Sequence, residues 1–334
     1  MTTGNLIQAQ TRSLTFYAAG GTAVNLLRAH RSDTPKHTDA MADEKYCFID
    51  TSIANLRDVI EADTFVLEGT DGSGSDRPRN AKAVMEAMPA ILNQFKPGDT
   101  NIVIFSAAGG TGSVAGPIIL EELLKSKKKV FAIVIGTHGS LKATANTIAT
   151  LTGLEMAVNR VGRSVVMAYR ENDPTKNNAG NNVVPMMIME ALSLLCSGKN
   201  NQLDGADIGN MIDYHTVTHH KPSLSMLDVY VNEEQLVKES TNPIVHIALL
   251  RNEEAITPAI NPAYGKSGYL PMEAAERYKE SFHFVVSNSR LKGVLSNLLK
   301  RREELESEQR VVERQTSLVG DGDVKVDQGT GLVF

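Results

Sequence analysis

Short apolar runs alternate with helix-like stretches through the first two thirds of the chain. The runs are continuous and rich in Val, Ile and Phe, which is typical of parallel strands covered on both faces. Six such strands are predicted, at residues 14–18, 46–50, 64–67, 101–106, 130–136 and 164–168. Apolar residues at helical spacing predict helices between them, at 22–31, 80–95, 117–124 and 141–159. The pattern therefore predicts an α/β protein with an open parallel sheet and helices on both faces.

The pattern changes after the sixth predicted strand. One long apolar helix is predicted at 181–197, and it is too hydrophobic for the surface, so a central position between two domains suits it. Strands predicted at 244–250 and 282–287 are surrounded by prolines that interrupt regular structure. This second part is therefore expected to form a smaller domain with a mixed sheet.

A charged helix is predicted near the C-terminus, at 291–315. Leucine or valine recurs in it every seven residues, at Leu291, Leu298, Leu305 and Val312. The positions between lose their apolar residues after Leu299, so we expect the first half to pack on its domain and the second half to project. Residues 317–334 carry Gly and Asp without periodicity and predict a loose acidic tail with an apolar end.

Composition and charge narrow the class of protein. A chain of 334 residues that is 42% hydrophobic and 22% charged is typical of a soluble globular protein of about two domains. The net charge of −5 argues against a generic nucleic-acid coat. Two cysteines, Cys47 and Cys196, fit a reducing compartment, and no segment has the pattern of a signal peptide or membrane span. A cytoplasmic protein with no membrane partner and no direct nucleic-acid binding is expected.

Two glycine-rich segments each lie between a predicted strand and a helix. They are AAGGTAVN at 18–25 and SAAGGTGSVAGP at 106–117. Backbone N–H groups at such turns point outward and the helix dipole adds positive charge, so two of them could hold a polyphosphate from two sides. Tight packing turns are the alternative. Neither segment is a P-loop, and Gly20-Gly21-Thr22-Ala23 does not fit the dinucleotide fingerprint, although Asp50 ends the second strand as a ribose-binding acid would.

The second glycine segment resembles the signature of the tubulin/FtsZ superfamily. The resemblance lies in GGTGS at 109–113, and in the order of the first glycine loop with Asn25, FIDTS at 48–52 and EGTDGSG at 68–74. Val114 stands where the signature has its last glycine. Across most of the chain the similarity is to the phage tubulins of the PhuZ family, which share the VxGP continuation, the long terminal helix and the acidic tail with an apolar end.

This resemblance implies a division of the chain. The expected parts are a Rossmann-like GTP-binding domain at 1–180, a core helix and synergy loop at 181–203, an activation domain at 204–290, a C-terminal helix at 291–316 and an acidic tail at 317–334.

The resemblance also implies nucleotide contacts for GTP or GDP. Gly20, Gly21 and Thr22 would meet the α- and β-phosphates, and Asn25 the guanine region. The remaining implied contacts are Asp50, Thr51, Gly72, Gly74, Ala108, Gly109, Gly110, Thr111, Gly112, Ser113, Asn172 and Asn182. Asn182 would bind guanine, with Asn181 as its near rival and Val183 in place of the usual acid. No counterpart of the ribose-binding Glu/Arg pair is found. Mg²⁺ would be held mainly by phosphate and water, without a protein ligand.

The segment GKNNQLDGADIGN, after the core helix, is similar to the acidic synergy loop of the family. Asp204 and Asp207 fall on its two acidic positions and would orient the water that attacks the γ-phosphate of the next subunit. Gln202 replaces the asparagine of the FtsZ pattern. The structural alternative is that Asp204 caps the following helix and Asp207 lies in its first turn.

Other polar groups give weaker hypotheses. A metal at His215 and His219, with His220 nearby, is less favoured than a solvated loop or subunit contact. The lysines at 125 and 127–129 favour a solvated turn over a filament contact. In the tail, a filament contact would be made by Asp321, Asp323, Asp327, Leu332 and Phe334, with plain disorder as the alternative.

The function implied is that of a cytoskeletal GTPase which polymerises head to tail with copies of itself. In the phage relatives such filaments form a spindle that positions phage DNA, so a phage capsid or nucleus shell is the implied cargo. Two alternatives stay open: a tubulin-like filament protein that does not hydrolyse GTP, and an NAD-dependent oxidoreductase with a Rossmann fold.

Overall fold

The computed structural model describes residues 11–33, 40–68, 77–173, 175–253, 255 and 260–316. The strands, in chain order, are β1 Ser13–Ala19, β2 Asp43–Asp50, β3 Thr64–Val66, β4 Thr100–Ser106, β5 Val130–Gly136, β6 Val165–Glu171, β7 Leu224–Tyr230, β8 Val245–Leu250, β9 Tyr264–Tyr269 and β10 Phe282–Ser287. The helices are α1 Gly21–Asp33, α2 Ile53–Leu56, α3 Arg77–Gln94, α4 Gly112–Lys125, α5 Leu141–Val161, α6 Asn178–Cys196, α7 Gly205–Ile212, α8 Glu233–Glu239, α9 Met272–Arg277 and α10 Ser289–Thr316. The expected site residues Gly72 and Gly74, and the expected tail contacts at 321–334, lie outside the described residues.

The first six strands form the predicted parallel sheet, in the order β3-β2-β1-β4-β5-β6. Nearly all side chains of β1, β4 and β5 are buried, on both faces of the sheet. Phe16 and Phe48 lie in the core on one face, with residues of α1 and α6, and Tyr17 and Phe105 lie in the core on the other, with residues of α3, α4 and α5. Burial of each such side chain stabilises the fold by about 1.5–3 kcal/mol, which explains why continuous apolar runs become strands here.

The sheet does not end at β6. β6 pairs with β7 in parallel over three residue pairs, from Val165 with Leu224 to Met167 with Met226. The order then continues β7-β10-β8-β9, with antiparallel pairs on both sides of β10 and a parallel pair between β8 and β9. The second part of the chain is therefore mixed, as expected, but its strands extend the first sheet instead of forming a separate one. The strands β7 and β9 were not predicted.

The core helix α6 begins at Asn178, three residues before the predicted start. The side chain of Asn177 caps it by accepting the N–H of Gly180 at 2.8 Å, and this capping sets the earlier start. By length and composition α6 could cross a membrane, but half of its most apolar window is buried inside the protein. Such burial is typical of a core helix that packs between a sheet and other helices.

The C-terminal helix α10 changes its environment along its length. Leu298 is 1% exposed and packs in the core with α5, whereas its neighbour Leu299 is 43% exposed. Val311 and Val312, three to four turns further on, are half exposed. The first half of α10 thus packs on the protein and the second half projects, as the thinning apolar pattern indicates.

Candidate functional site

The two glycine loops lie against each other at the carboxyl edge of the sheet. Gly20 has a φ of +84°, and a Cβ built on it would lie 2.8 Å from the backbone nitrogen of Gly112. A Cβ on Gly112 would lie 2.7 Å from the carbonyl oxygen of Ala19. Only glycine allows this approach of backbone to backbone. The loop after β1 and the loop after β4 therefore form one continuous polar surface.

The loop after β4 presents a row of backbone donors. The N–H groups of Ala108 and Gly109 are both bonded to the Ser106 hydroxyl at 3.3 Å. The next four N–H groups, those of residues 110–113, have no acceptor among the described residues. They lie at the start of α4, where the helix dipole adds partial positive charge. This arrangement suits a bound anion such as a phosphate group.

Helix α5 supports this loop from behind. The Asn146 amide donates to the carbonyl oxygen of Ala108 at 3.0 Å, and the Thr150 hydroxyl donates to that of Ala107 at 2.9 Å. Neither residue was identified from the sequence. Thr150 is the last of three fully buried threonines spaced three residues apart, and that row on one helical face is the signal that could have identified Thr150.

Asp50 is buried and stabilises the loop after β2 through hydrogen bonds. It is 2% exposed, its Oδ1 accepts the N–H of Thr51 at 2.7 Å, and its Oδ2 accepts the Asn55 amide at 2.8 Å. The hydroxyls of Thr51 and Thr111 lie 2.8 Å apart, so the loop after β2 is attached to the loop after β4. Asp50 thus organises the loop, and Thr51 is the residue that lies against the glycine signature.

Other expected nucleotide contacts lie around the same edge. Thr22 and Asn25 are exposed and three residues apart in the first turns of α1, so they share one face. Gly21 begins α1, and a Cβ on it would lie 2.6 Å from the amide nitrogen of Asn55. Asn172 follows β6, with its N–H bonded to the carbonyl oxygen of Gly136 at 3.0 Å.

The two asparagines at the start of α6 have different environments. The side-chain oxygen of Asn181 accepts the N–H of Asp173 at 2.8 Å, and its amide donates to the carbonyl oxygen of Asp173 at 3.1 Å. Asn181 therefore fastens the loop after β6 to the helix. Asn182 is half buried and has no side-chain hydrogen bond with the described residues, so its amide is available to a ligand.

Ser113 occupies a position different from that of the rest of the signature. It is fully buried, and its hydroxyl has no partner among the described residues. It lies on the side of α4 that lines a cavity of about 750 Å³ together with residues of α3 and α5. The N–H of Ser113 belongs to the row of donors, whereas its hydroxyl is buried.

Asp204 and Asp207 form a capping box at the start of α7. Asp204 accepts the N–H groups of Ala206 at 2.6 Å and Asp207 at 3.1 Å, and Asp207 accepts the N–H of Asp204 at 3.0 Å. Asp204 therefore caps α7 and Asp207 lies in its first turn, as the structural alternative predicts. The side chain of Asp204 is nevertheless exposed to solvent. Backbone hydrogen bonds from Asp207 and Ala206, with the nearby charges of Arg12 and Lys129, lower the pKa of Asp204, so this carboxylate is ionised at neutral pH.

The acidic loop lies at the amino edge of the sheet. Lys129, immediately before β5, donates to the carbonyl oxygen of Gly205, and the N–H of Arg12, immediately before β1, is bonded to Ser197 at 3.1 Å. The glycine loops follow the carboxyl ends of strands that are seven residues long. At roughly 3.3 Å per residue, about 23 Å of sheet separates the two sets of groups. A single chain therefore cannot bring its own acids to its own glycine loops.

Three of the remaining polar candidates have structural partners, namely Lys125, Lys129 and His215. Lys125 pairs with Glu121 and Glu122, whereas Lys129 is half buried at the acidic loop and is not part of a solvated turn. The Nδ1 of His215 lies 3.3 Å from the Ser164 hydroxyl. Within the described ranges no group of three or more His, Cys, Asp or Glu residues is placed to hold a metal ion.

These features define the fold. A parallel sheet with glycine loops at its carboxyl edge, a core helix returning to the amino edge, and a mixed extension of the sheet constitute the tubulin/FtsZ fold, and the fold that the sequence resemblance implies is confirmed. Among solved structures, the protofilament of TubZ from bacteriophage PhiKZ matches with a TM-score of 0.81 and 24% identity, over 96% of this chain and 99% of that one. The phage tubulin PhuZ bound to GDP matches with a TM-score of 0.81 and 22% identity, over the same shares.

More particularly, the chain is similar in sequence to phage tubulin-like proteins. It is 28% identical over 311 residues to the phage tubulin-like protein of Pseudomonas phage phiKZ, covering 87% of this chain and 91% of that protein. It is 27% identical over 285 residues to the one of Pseudomonas phage PhiPA3, covering 84% and 90%. No protein-family model matches the chain.

Proposed function

We propose that this protein is a tubulin-like GTPase that assembles head to tail into cytoskeletal filaments and hydrolyses GTP between subunits. The observation that carries the proposal is the separation of the two halves of the site. N–H groups that have no acceptor among the described residues lie at the carboxyl edge of the sheet, and the ionised Asp204 lies at the amino edge. Only a second copy stacked in the same direction brings the acids of one subunit to the phosphates of the other.

The chemistry needs little more than position and charge. The N–H groups of residues 110–113 would hold the phosphates, and the amide of Asn182 would hydrogen-bond guanine. Asp204 and Asp207 of the next subunit would orient the attacking water. Magnesium, held through phosphate and water, would neutralise the developing charge on the phosphates. The GDP in the related PhuZ structure supports guanine nucleotide as the ligand.

The oxidoreductase alternative loses its main support. In a dinucleotide-binding fold the acid after the second strand binds the ribose of NAD. Here the candidate, Asp50, is buried, and both of its oxygens accept hydrogen bonds within the loop.

The cellular role follows from the relatives alone. Their description as phage tubulin-like proteins supports a tubulin-like role during phage infection. A filament in the cytoplasm of the infected bacterium, with a phage capsid or nucleus shell as cargo, is the role that the family resemblance implies. The C-terminal tail would attach to the next subunit through its acidic and apolar residues. Removal of residues 317–334 should then abolish GTP-dependent pelleting, and unchanged pelleting would refute this role of the tail.

The test of the catalytic role uses a substitution that preserves the helix cap. Serine caps helices about as well as aspartate, so Asp204→Ser removes the carboxylate and should change stability by only a few tenths of a kcal/mol. With GTP, the wild type and Asp204→Ser should both pellet on sedimentation. Phosphate release should fall at least about 100-fold in the variant, as is usual when a catalytic acid–base group is lost.

Three outcomes contradict the proposal in different ways. Wild-type phosphate release by Asp204→Ser would show that this aspartate only caps α7. Pelleting without phosphate release by the wild type would establish a filament that does not hydrolyse GTP. Absence of both GTP binding and pelleting would exclude the filament function altogether.

A further inference from the structure

The edge strand β9 runs beside the acidic loop and is attached to its start. Asn201 and Tyr269 exchange two backbone hydrogen bonds, at 3.2 and 3.1 Å. Gly268, next to Tyr269 on β9, contacts the same loop closely. A Cβ on it would be 2.3 Å from the carbonyl oxygen of Asn201 and 2.6 Å from Cγ of Leu203. The loop from α6 to α7 is therefore held against β9 at close contact.

A second attachment joins β9 to one of the two acids. The hydroxyl of Tyr264 donates to Oδ1 of Asp207 at 2.8 Å, and the N–H of Asp204 donates to Oδ2 of the same carboxylate at 3.0 Å. Because both oxygens of Asp207 accept a hydrogen bond from a different element, rotation of this carboxylate is restricted. The two acids of the loop are thus not equivalent.

Asn210 determines where the proton of Tyr264 points. Its side-chain amide donates to the Tyr264 oxygen at 3.1 Å. An amide nitrogen can only donate, so the single proton of the phenol is left for Asp207. Burial, together with the bond to Asp207 and its charge, raises the pKa of Tyr264, which keeps that proton in place at neutral pH.

Asp204 has the complementary arrangement. Its Oδ1 accepts two backbone N–H groups, while Oδ2 has no partner among the described residues and the side chain is exposed. One acid therefore offers a free oxygen to solvent, and the other is fixed in orientation by a residue 57 positions further along the chain.

We propose that Tyr264 is a positioning residue that holds Asp207 in the orientation required for GTP hydrolysis, with Asn210 directing its hydroxyl proton. The proposal rests on the catalytic role proposed above for the acidic loop. It assigns a function in hydrolysis to β9, an edge strand of the activation domain that contributes no group to the chemistry itself.

The primary test is Tyr264→Phe, with Tyr269→Phe as the matched control on the same strand. The hydroxyl of Tyr269 has no hydrogen-bond partner among the described residues, so its removal leaves the acidic loop unchanged. Phosphate release per pelleted subunit should fall roughly tenfold in Tyr264→Phe, as expected when a hydrogen bond to a charged group is lost, and should remain at the wild-type rate in Tyr269→Phe. GTP binding and pelleting should be unchanged in both.

A second variant redirects the proton without removing the tyrosine. Asn210→Asp has nearly the same shape, but its carboxylate would accept the Tyr264 proton and take it from Asp207. It should show the same loss as Tyr264→Phe. A wild-type rate of phosphate release in either variant would overturn the proposal.

A double variant separates positioning from a general structural role. If Tyr264 acts through Asp207, then Tyr264→Phe should have no further effect on the residual rate of Asp207→Asn. An equal further loss in that background would overturn the proposal. Wild-type hydrolysis by Asp207→Asn alone would instead refute the catalytic role of this acid, and Tyr264 would then have nothing to position.

Discussion

The contact between the two glycine loops can be tested by adding one methyl group, in Gly20→Ala. At the observed φ of +84°, alanine costs about 1–2 kcal/mol relative to its preferred conformations. Its Cβ would also lie 2.8 Å from the nitrogen and 3.0 Å from Cα of Gly112. Since both atoms are backbone, the loops must move apart by several tenths of an ångström.

That movement displaces the N–H groups at the start of α4, so GTP should bind at least about tenfold more weakly, a loss of about 1.4 kcal/mol. The control is Gly162→Ala, at the end of α5, where φ is +70° and a Cβ meets no atom within 4 Å. Both variants should lose thermal stability through backbone strain, but only Gly20→Ala should lose affinity in equilibrium binding of a fluorescent GTP analogue. Wild-type affinity in Gly20→Ala, or an equal loss in Gly162→Ala, would refute the reasoning.

Three further predictions concern other parts of the molecule. Nε2 of the buried His246 lies 3.2 Å from Nδ1 of the buried His283, and burial lowers the pKa of each to about 4. Their contribution to the free energy of unfolding should therefore be complete above pH 6.5 and be lost as the pH falls toward 4. The loss in free energy of unfolding between pH 7.5 and pH 5, measured by urea unfolding, should be smaller when both histidines are replaced by glutamine. Asn182→Ala should weaken GTP binding about fivefold and reduce the preference for GTP over ATP in competition binding, whereas an unchanged preference would assign guanine recognition elsewhere. Leu298→Ala should destabilise the protein by about 2–4 kcal/mol in denaturant unfolding, and the exposed Leu299→Ala by less than about 0.5 kcal/mol.

The local pattern of apolar residues was sufficient to predict the strands of the first sheet. Strands such as β5 are buried along their whole length, so their composition alone identifies them. The glycine signature could be located because it follows β4 directly. The lengths of helices were less predictable, because a cap such as Asn177 depends on one side-chain bond that apolar periodicity does not register.

The strands β7 and β9 could not be predicted for different reasons. β7 contains the charged Asp228, which is tolerated in a buried strand because Arg170 and Arg290 lie at 3.3 and 2.8 Å from its carboxylate. β9 contains two glycines and a lysine, residues that are disfavoured in strands. Its position is fixed by pairing with β8 and by the acidic loop, which are contacts with distant segments.

The acidic loop shows the same limit within the candidate site. The sequence indicated two roles for Asp204 and Asp207, one in catalysis and one in capping α7. The structure establishes the capping box directly. The bond from Tyr264 to Asp207 joins elements far apart in the chain, so no spacing rule indicates it. Residues that act by positioning another residue are the part of a site that cannot be predicted from a single sequence.

The placement of glycine loops and acids on opposite edges of one sheet would make the two ends of the proposed filament chemically different. In such a row of subunits, one terminal subunit would have a nucleotide that faces no acids, and the other would have acids that face no nucleotide. A pair of subunits would therefore contain a single complete site, and every added subunit would complete one more. Turnover per subunit should rise with filament length, and the last nucleotide at the open end should survive until another subunit arrives.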